Sequence, residues 1–361
     1  MPQDFSIIFV VDPPGLVLDS ILLLASIRKH MPDVPVVPYC PAAKAEALPP
    51  QLTEFFAHHD APIRLMQTEG VFATPYKQGN KLLAAAAPRD TAATLFLDTD
   101  VMVMRAFGGH EVLQEDQLSA APEGRMTWGK MPEMWPSAYD TFGLPVPQDQ
   151  IRLARSNALS SPYFNAGVVG FPDQTPSGHH FGQLWLETSQ RIDANDNVPG
   201  RRPWLDQIAL PIAMIRAGLS MNLLPSKWNL SLSHNPVADG KPPHVNRLAQ
   251  AEIDKLNAAD PVIAHYHNHP ALARLRYGPI ADALIAEFTP YASIQDLRLG
   301  MVGQTPSKAA ILKEFHTLKA MTDRTPEQSA RFREVDALKR AAQSGKLAKG
   351  YYADWPDTLV T

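Results

Sequence analysis

Cysteine is almost absent from this sequence of 361 residues, in which Cys40 is the only one. A single cysteine excludes a disulfide within the chain and is typical of proteins from a reducing compartment. Long apolar runs are also lacking, because the most apolar stretch, 16–27, is interrupted by Asp19 and is too short to span a bilayer. No basic segment followed by an apolar run opens the sequence, so no signal peptide is predicted. These features together predict a cytoplasmic protein.

An excess of charge of one sign is missing as well. The chain has 33 Lys and Arg residues against 37 Asp and Glu residues, and its formal net charge of −4 gives no reason to expect a nucleic acid partner. Hydrophobic residues make up 45% of the chain and charged residues 19%, as in folded enzymes and unlike disordered proteins. The length is enough for one large domain or two ordinary ones.

A β-α-β pattern opens the chain. The run 5–11, rich in β-branched and aromatic residues, predicts a strand, and a helix is predicted from about residue 16 to residue 30. A two-sided apolar strand followed by a helix indicates a parallel sheet covered by helices. We therefore predict an α/β fold with a Rossmann-like, mostly parallel central sheet flanked by helices. Further strands are predicted at 34–40, 94–97, 166–171, 219–225 and 261–267, and further helices at 80–87, 179–192 and 204–218, where Pro211 either kinks the last helix or marks its start.

The C-terminal part of the chain differs in charge from the rest. Residues 305–349 contain ten Lys and Arg residues against five Asp and Glu residues, a net charge of +5, which leaves about −9 for the remainder. Thr325 and Gln328 have the spacing of a capping box at the start of a helix. We predict a main α/β domain at 1–270 and a basic helical extension at 271–361.

Two interpretations of this extension remain open. Lysines are mixed with Tyr351, Tyr352 and Trp355 near the end of the chain, a composition that suits peripheral contact with the inner face of a membrane. The alternative is a solvated helical hairpin that packs on the main domain.

Two carboxylates, Asp98 and Asp100, follow the apolar residues 95–97. In an extended segment they would project to the same side at the carboxyl end of a strand, which is where ligands bind in open α/β sheets. Paired carboxylates repel each other unless a cation lies between them, so a hard divalent ion is one interpretation. The other is a turn in which the aspartates bind backbone N–H groups.

Three alternating histidines, His265, His267 and His269, form a second candidate metal site. In an extended run all three would share a face and could bind zinc. Alternatively, His267 and His269 are ordinary loop residues. One histidine that joins the two aspartates would give a mixed site, and imidazole among oxygen ligands favours manganese over magnesium, with Mg²⁺ as the alternative ion.

The order of several motifs resembles that of the family 8 glycosyltransferases. NKLLAAA precedes LFLDTDVMV, and YFNAGVVGF, WLDQIAL, LLPSKWN and VIAHYH follow. The resemblance covers about residues 5–269. It implies a GT-A fold and a retaining enzyme that transfers a hexose from a nucleotide diphosphate sugar, with a UDP-sugar as the usual donor. Members include glycogenin-like proteins and bacterial lipopolysaccharide galactosyltransferases, so a saccharide, lipid-linked or protein acceptor is implied.

The resemblance also implies roles for residues around the metal and the nucleotide. Asp98 and Asp100 match the DxD motif that binds manganese and the diphosphate, and His265 matches the late histidine that completes the metal site. Lys81 matches a basic residue that contacts the donor. Asp12 lies where the family contacts the nucleotide base.

Five further residues match motifs near the donor sugar. Asn165, Ala166 and Gly167 match the turn that lies against the sugar. Asp206 and Gln207 match the pair near the reacting anomeric carbon, which makes them the candidate catalytic residues.

The sequence departs from the family at two places. After the late histidine the family continues with a glycine and a Lys-Pro-Trp segment, whereas here HYHNHPALARLRYG follows, and Arg274 or Arg276 is a candidate substitute for the lysine. The family also places an aromatic residue after the first strand, where this chain has Asp-Pro-Pro-Gly. The missing Lys-Pro-Trp segment leaves a non-catalytic nucleotide-sugar-binding protein on the same fold as one alternative to the metal-dependent transferase. The three histidines leave a zinc hydrolase as the other.

Overall fold

The computed structural model of the chain describes residues 4–232, 235–236, 247–248, 250–302, 308–343, 352 and 355–361. Its strands are β1 (Phe5–Val10), β2 (Val36–Pro41), β3 (Arg64–Met66), β4 (Ala93–Leu97), β5 (Val101–Val103), β6 (Gln117–Pro122), β7 (Ile151–Arg152), β8 (Leu159–Ser160), β9 (Phe164–Pro172), β10 (Ser220–Leu223), β11 (Leu230–Ser231), β12 (Asn235–Pro236), β13 (Arg247–Leu248) and β14 (Ile263–His265). Its α-helices are α1 (Val17–His30), α2 (Pro50–His58), α3 (Gly79–Ala86), α4 (Gly109–Val112), α5 (Met134–Asp140), α6 (Phe181–Asp193), α7 (Leu205–Arg216), α8 (Gln250–Ala258), α9 (His269–Leu272), α10 (Tyr277–Phe288), α11 (Ile294–Val302), α12 (Lys308–Lys319) and α13 (Pro326–Gln343).

The central sheet has seven strands in the order β10-β6-β9-β4-β1-β2-β3. β9 is antiparallel to its neighbours β4 and β6, and all other neighbouring pairs are parallel, so six of the seven strands run in one direction. The predicted α/β class with a mostly parallel sheet is therefore confirmed. Because β9 is reversed, its first residues lie at the same edge of the sheet as the last residues of β4 and β6.

Helices cover both faces of this sheet because its strands are apolar on both sides. Along β1, Phe5, Ile7 and Phe9 belong to one hydrophobic core, and Ile8 and Val10 belong to the other. Such alternation follows from the two-residue period of a strand. The first core includes residues of α1 and α10, and the second includes residues of α6 and α7. In α7, Pro211 lies inside the helix and does not mark its start.

Arg89 fixes the carboxyl end of α3. Its guanidinium donates to the carbonyl oxygens of Ala84 at 2.9 Å and Ala85 at 2.9 Å and to Asp173 Oδ1 at 3.2 Å, and its side chain is only 1% exposed. Carbonyl groups in the last turn of a helix lack partners within the helix, so these bonds satisfy groups that would otherwise be orphaned. On the other side, Gly182 lets α6 approach the backbone of Ala85, because a Cβ there would overlap it. Both features fix the position of α3.

Part of the predicted extension belongs to the main core. Residues 272–301 contribute apolar side chains of α10 and α11 to the first core, and Trp355 and Leu359 pack there too. Only α12 and α13 form a small cluster of their own, around Phe315 and Val335. The division at residue 270 remains a prediction, but the helices directly after it are packed against α1.

The capping box at the start of α13 is present in the structure. Gln328 N donates to Thr325 Oγ1 at 3.2 Å, and Thr325 N donates to Gln328 Oε1 at 3.0 Å. Most of the segment predicted to contact a membrane, including Tyr351 and the lysines before it, lies outside the described residues. Within the described part of the chain, no helix is both long enough and apolar enough to cross a membrane.

Candidate active site

A cavity of about 1060 Å³ opens at the edge of the central sheet where β4 and β6 end and β9 begins. The carboxyl edge of such a sheet is the usual place for a ligand. Most of the residues predicted from the motifs line this cavity. They are Lys81, Asp98, Asp100, Asn165, Asp206, Gln207 and His265.

Strand pairing brings Asp98 next to the Asn165–Gly167 segment. Leu97 at the end of β4 is opposite Val168 in β9, and the backbone N–H of Asp98 donates to the carbonyl oxygen of Gly167 at 2.7 Å. Asp98 therefore lies at the end of β4, directly beside the first residues of β9.

A second small sheet brings Asp100 to His265. β14 lies between β11 and β5, and its antiparallel pairing with β5 places His265 opposite Val101. Since Val101 follows Asp100 directly, the imidazole meets the carboxylate: His265 Nε2 lies 3.2 Å from Asp100 Oδ1. His267 Nδ1 lies 4.0 Å from Asp100 Oδ2.

The two aspartates do not lie in one extended segment, which corrects the premise from which their common direction was predicted, although both line the cavity. β4 ends at Leu97 and a turn at 99–100 precedes β5, so the two-residue alternation of a strand is interrupted between them. Asp98 consequently contacts Lys81, whereas Asp100 contacts His265.

Lys81 lies between two carboxylates. Its Nζ is 2.9 Å from Asp98 Oδ1 and 3.0 Å from Asp206 Oδ2, and Tyr76 donates to Asp206 Oδ1 at 2.8 Å. Burial opposes a charge on Lys81, but the two carboxylates outweigh it and raise the pKa of the ammonium group above its usual value. Burial raises the pKa of the Asp98 carboxyl, against the opposing effect of Lys81. Lys81 is therefore a fixed cation in the wall of the cavity.

Around Asp100 the arrangement is reversed, because one carboxylate lies beside two imidazoles, those of His265 and His267. Burial would raise the pKa of the Asp100 carboxyl, but His265 and His267 hold it well below its usual range. Burial likewise disfavours a charged His265, and Asp100 raises the pKa of this imidazole in spite of it. Asp100 is therefore a carboxylate that is stabilised by neighbouring imidazoles.

Glu123, which the sequence did not single out, connects two predicted residues. Its Oε2 accepts a hydrogen bond from Asn165 Nδ2 at 3.1 Å and another from Gln207 Nε2 at 2.6 Å. The other end of the Gln207 amide accepts from Tyr163 Oη at 3.0 Å. The orientation of the Gln207 amide is thus determined by a donor at one end and an acceptor at the other.

Asn229, the last residue of the LLPSKWN motif, and Ser231 also lie at the site, although no role was predicted for either. Asn229 Oδ1 lies 2.9 Å from His265 Nδ1, and Ser231 Oγ lies 3.0 Å from His267 Nε2. Gly167 permits this arrangement, since a Cβ on it would lie 2.7 Å from the Cε1 of His265. The glycine of the Asn-Ala-Gly motif is therefore required by the close approach of His265.

The remaining predicted residues occupy different positions. Asp12 is buried and forms an ion pair with Lys44, and the carbonyl oxygen of Ala166 accepts from Lys81 Nζ at 3.2 Å. His269 Nε2 lies 2.9 Å from Asp19 Oδ1 on α1, so it does not share a face with His265 and His267. The prediction that all three histidines lie together is therefore wrong.

The two arginines proposed to replace the family's lysine do not lie at this cavity. Arg276 donates to the carbonyl oxygen of Ala259 and stacks on Tyr277, and neither it nor Arg274 is among the described residues that line the cavity.

The residues present fit a divalent cation. Among the described residues, Asp100, His265 and His267 each offer one ligand atom, and these atoms all lie within 4.8 Å of one another. A carboxylate oxygen and neutral imidazole nitrogens are ligands that manganese and zinc accept in proteins.

The family assignment comes from the first part of the chain. Residues 7–218 match the model of the Rhodobacterales glycosyltransferase domain, which is more than half of the chain. The chain belongs to this glycosyltransferase family. The expectation of a glycosyltransferase that rested on the order of the motifs is thereby confirmed. The matched range includes Lys81, Asp98, Asp100 and Asp206, and His265 lies beyond it.

Solved structures of several glycosyltransferases are similar to this one. The WbbM bifunctional glycosyltransferase has 15% identity and a TM-score of 0.42, and the match covers 73% of this chain but only 46% of that one. The galactosyltransferase LgtC with donor and acceptor sugar analogues has 16% identity and a TM-score of 0.40, with 73% and 87% of the chains covered. Mouse xyloside xylosyltransferase 1 has 12% identity and a TM-score of 0.44, with 73% and 97% covered. No curated protein sequence matches the chain.

Proposed function

We propose that this glycosyltransferase moves a hexose from a nucleotide diphosphate sugar to a saccharide or lipid-linked acceptor, with a UDP-sugar as donor and a divalent cation, Mn²⁺ or Mg²⁺, as cofactor. The single observation that carries the proposal is the junction of β4, β5 and β14. It gathers Asp98, Asp100 and His265 at one edge of the sheet, beside Lys81 and Asp206. Retention of configuration is part of the proposal and rests on the resemblance of the motifs.

The leaving group explains why such a site suits this reaction. Breaking the glycosidic bond of a nucleotide sugar leaves a diphosphate whose negative charge must be stabilised. A divalent cation supplies this stabilisation as a Lewis acid when it is bound. Asp98, Asp100 and His265 are the residues that would hold it.

The chain's own residues position the donor. Lys81 is fixed by Asp98 and Asp206, so its charge is preorganised and is not brought in by a flexible side chain. Asp206 is 5% exposed and Gln207 is 7% exposed, and both are hydrogen-bonded to neighbouring side chains. We propose that these two side chains face the anomeric carbon and that Asn165 contacts the sugar.

The test is a calorimetric titration of UDP, GDP and CDP into the protein with and without Mn²⁺, followed by an assay of donor hydrolysis and transfer. Manganese-dependent binding of one nucleotide, together with turnover of its sugar, is expected. Asp100→Asn should lose turnover, and Glu252→Gln, which also changes a carboxylate in the cavity wall, should retain it. Unchanged turnover in Asp100→Asn would contradict the role of the metal.

A second candidate is a protein that binds nucleotide sugars without catalysis. It is favoured by the position of Arg274 and Arg276, since neither supplies the missing lysine in the cavity. It predicts the same manganese-dependent binding of a nucleotide but no hydrolysis or transfer with any acceptor. The zinc hydrolase loses its support because His269 lies apart from the other two histidines.

Peripheral membrane contact through the C-terminal part of the chain belongs to the same proposal. It would bring a lipid-linked acceptor to the enzyme, and the net charge of +5 over residues 305–349 supports it. Sedimentation of the full chain with anionic vesicles at low salt tests it, and absence of the protein from the pellet would contradict it.

A further inference from the structure

The geometry points to a metal centre in this chain that differs from the two aspartates and one histidine implied by the motifs. We infer that His267 binds the ion together with Asp100 and His265, so that two imidazoles take part. This inference deepens the proposed function and rests on it for the presence of a metal.

The positions of the donor atoms carry the first step. Asp100 presents Oδ1 to His265 Nε2 at 3.2 Å and Oδ2 to His267 Nδ1 at 4.0 Å. The two imidazole rings are stacked, with centroids 3.8 Å apart and planes 23° apart, so both rings face the same carboxylate. Bonds from a metal to such ligands are about 2.0–2.2 Å long, so ligands of one ion lie roughly 3–4 Å apart.

The partners of the two rings carry the second step. His265 Nδ1 faces Asn229 Oδ1, and the Asn229 amide is oriented because its Nδ2 donates to Asn165 Oδ1 at 2.8 Å. This contact places the proton of a neutral His265 on Nδ1 and leaves the lone pair of Nε2 toward Asp100. His267 Nε2 contacts Ser231 Oγ in the same way. A histidine that binds a metal typically has its second nitrogen in such a hydrogen bond.

The backbone of His267 carries the third step. Its φ of +57° lies in the left-handed region, which a residue with a side chain seldom adopts. Such conformations occur most often at functional sites, where the surrounding structure enforces them. Here Tyr266 is anchored beneath the turn, because its hydroxyl donates to the buried Asp19 at 2.7 Å. The change of backbone direction after Tyr266 places the His267 ring against the His265 ring.

The donor set has a consequence for the choice of metal. Carboxylate and carbonyl oxygens suit Mg²⁺, whereas imidazole suits later first-row ions. A centre with two imidazoles should discriminate against Mg²⁺ more strongly than a centre with one. The ratio of Mn²⁺ to Mg²⁺ affinity is therefore the property that His267 controls.

The experiment uses the metals alone with the full chain. Mn²⁺ and Mg²⁺ are titrated by calorimetry into the wild type, His267→Asn and His269→Gln, and X-ray absorption spectra of the Zn²⁺-loaded proteins count the imidazole ligands. Asn tolerates the left-handed backbone of residue 267, so this variant keeps the turn while it removes the ring. Circular dichroism confirms that each variant is folded.

We expect His267→Asn to bind Mn²⁺ at least about tenfold more weakly, to lose most of its preference for Mn²⁺ over Mg²⁺, and to show one imidazole fewer by X-ray absorption. His269→Gln should stay within about threefold of the wild type and keep both imidazoles. Wild-type affinity and spectrum in His267→Asn, or an equally large loss in His269→Gln, would overturn the inference.

The two proposals fail in different ways. If the metal binds through two imidazoles but no nucleotide binds in the earlier titration, the centre stands and the transferase proposal falls. If a nucleotide sugar is turned over with Mn²⁺ while His267→Asn keeps its metal affinity, the transferase proposal stands and this inference falls.

Discussion

The cavity has two charged regions that differ in how their charges are satisfied. In the first, Lys81 lies between Asp98 and Asp206, and each carboxylate has a cation within 3.0 Å. In the second, Asp100 faces two stacked imidazoles whose other nitrogens contact Asn229 and Ser231. In the first region every charged group has a partner of opposite charge within the protein. In the second region the carboxylate oxygen and the imidazole nitrogens that could bind a metal lie within 4.8 Å of one another.

This difference shows that the two aspartates of one short motif have different partners. A turn at 99–100 follows Asp98, and Asp98 meets Lys81 whereas Asp100 meets His265. The first region should therefore contribute mainly to the stability of the protein without ligands. The second should contribute mainly to metal binding.

The largest expected effect is on stability, from Lys81→Met. It leaves the buried Asp206 and the partly buried Asp98 without their cation, and breaking a buried ion pair on one side typically costs about 3–5 kcal/mol. The free energy of unfolding of the metal-free protein, measured in urea, should fall by about 3 kcal/mol. Lys81 has a side chain only 11% exposed, which is why its loss is not screened by solvent.

Two controls accompany this variant. Lys255→Met removes another lysine from the cavity wall, but Lys255 is 74% exposed and pairs with Glu252 on the surface of α8, so a change below about 0.5 kcal/mol is expected. The double variant Lys81→Met/Asp206→Asn should recover part of the lost stability, because one buried charge is removed. Equal stability of Lys81→Met and the wild type would remove the distinction between the two regions.

The next effect is on turnover, from Glu123→Gln. The carboxylate of Glu123 accepts hydrogen bonds from Asn165 and Gln207 at Oε2 and from the Gly124 N–H at Oε1, so an amide here leaves at least one of these donors facing an N–H₂ group. This disturbs the contact that orients the Gln207 amide, and misplacing a group at a reacting centre costs up to about 100-fold in rate. We expect kcat to fall roughly tenfold to 100-fold.

Metal affinity separates a positioning role of Glu123 from a general loss of structure. Glu123 contacts the sugar-binding and catalytic candidates and not Asp100 or His267, so Glu123→Gln should bind Mn²⁺ as the wild type does. Glu252→Gln is the matched control, since Glu252 also lines the cavity but pairs only with Lys255. A parallel fall of metal affinity and kcat in Glu123→Gln would mean that the two regions are not independent.

The sequence predicted the parts of this site that depend on short motifs. Asp98, Asp100, Asn165, Asp206 and His265 follow or begin apolar segments, and the parallel sheet edge gathers such positions. The β-α-β opening and most helices were also predictable, because their apolar periods are local. The family followed from the order of these motifs.

The parts that were missed depend on contacts between distant segments. Glu123 is 84 residues from Gln207, and Asn229 is 64 residues from Asn165, so no spacing in the sequence indicates that they meet. The only available signal is that Glu123 directly follows the apolar strand β6, as Asp98 follows β4. Asp98 and Asp100 were wrongly placed in one extended segment, because the apolar residues 95–97 do not show where the strand ends, and the alternation rule holds only while it continues.

The smallest effect concerns a histidine remote from both regions, which serves as the reference for pH dependence. The His59 ring packs against Phe55 and Phe288, and its Nε2 has no hydrogen-bond partner among the described residues. Burial, followed by the nearby His58 and Arg28, lowers the pKa of His59 to about 4. The unfolded chain binds this proton at a higher pH than the folded chain does, so stability is complete above about pH 6.5 and falls as the pH drops toward 4.

Because the His59 ring is partly exposed, the expected contribution is only about 1–2 kcal/mol between pH 6.5 and pH 4. Urea unfolding across this range should show a smaller decline for His59→Gln than for the wild type, whereas His110→Gln, at an exposed histidine, should follow the wild type. A decline of the same size in His59→Gln would assign the acid sensitivity to other groups. Asp100 and His265 would then be the first to examine, since their mutual stabilisation also depends on which of them holds a proton.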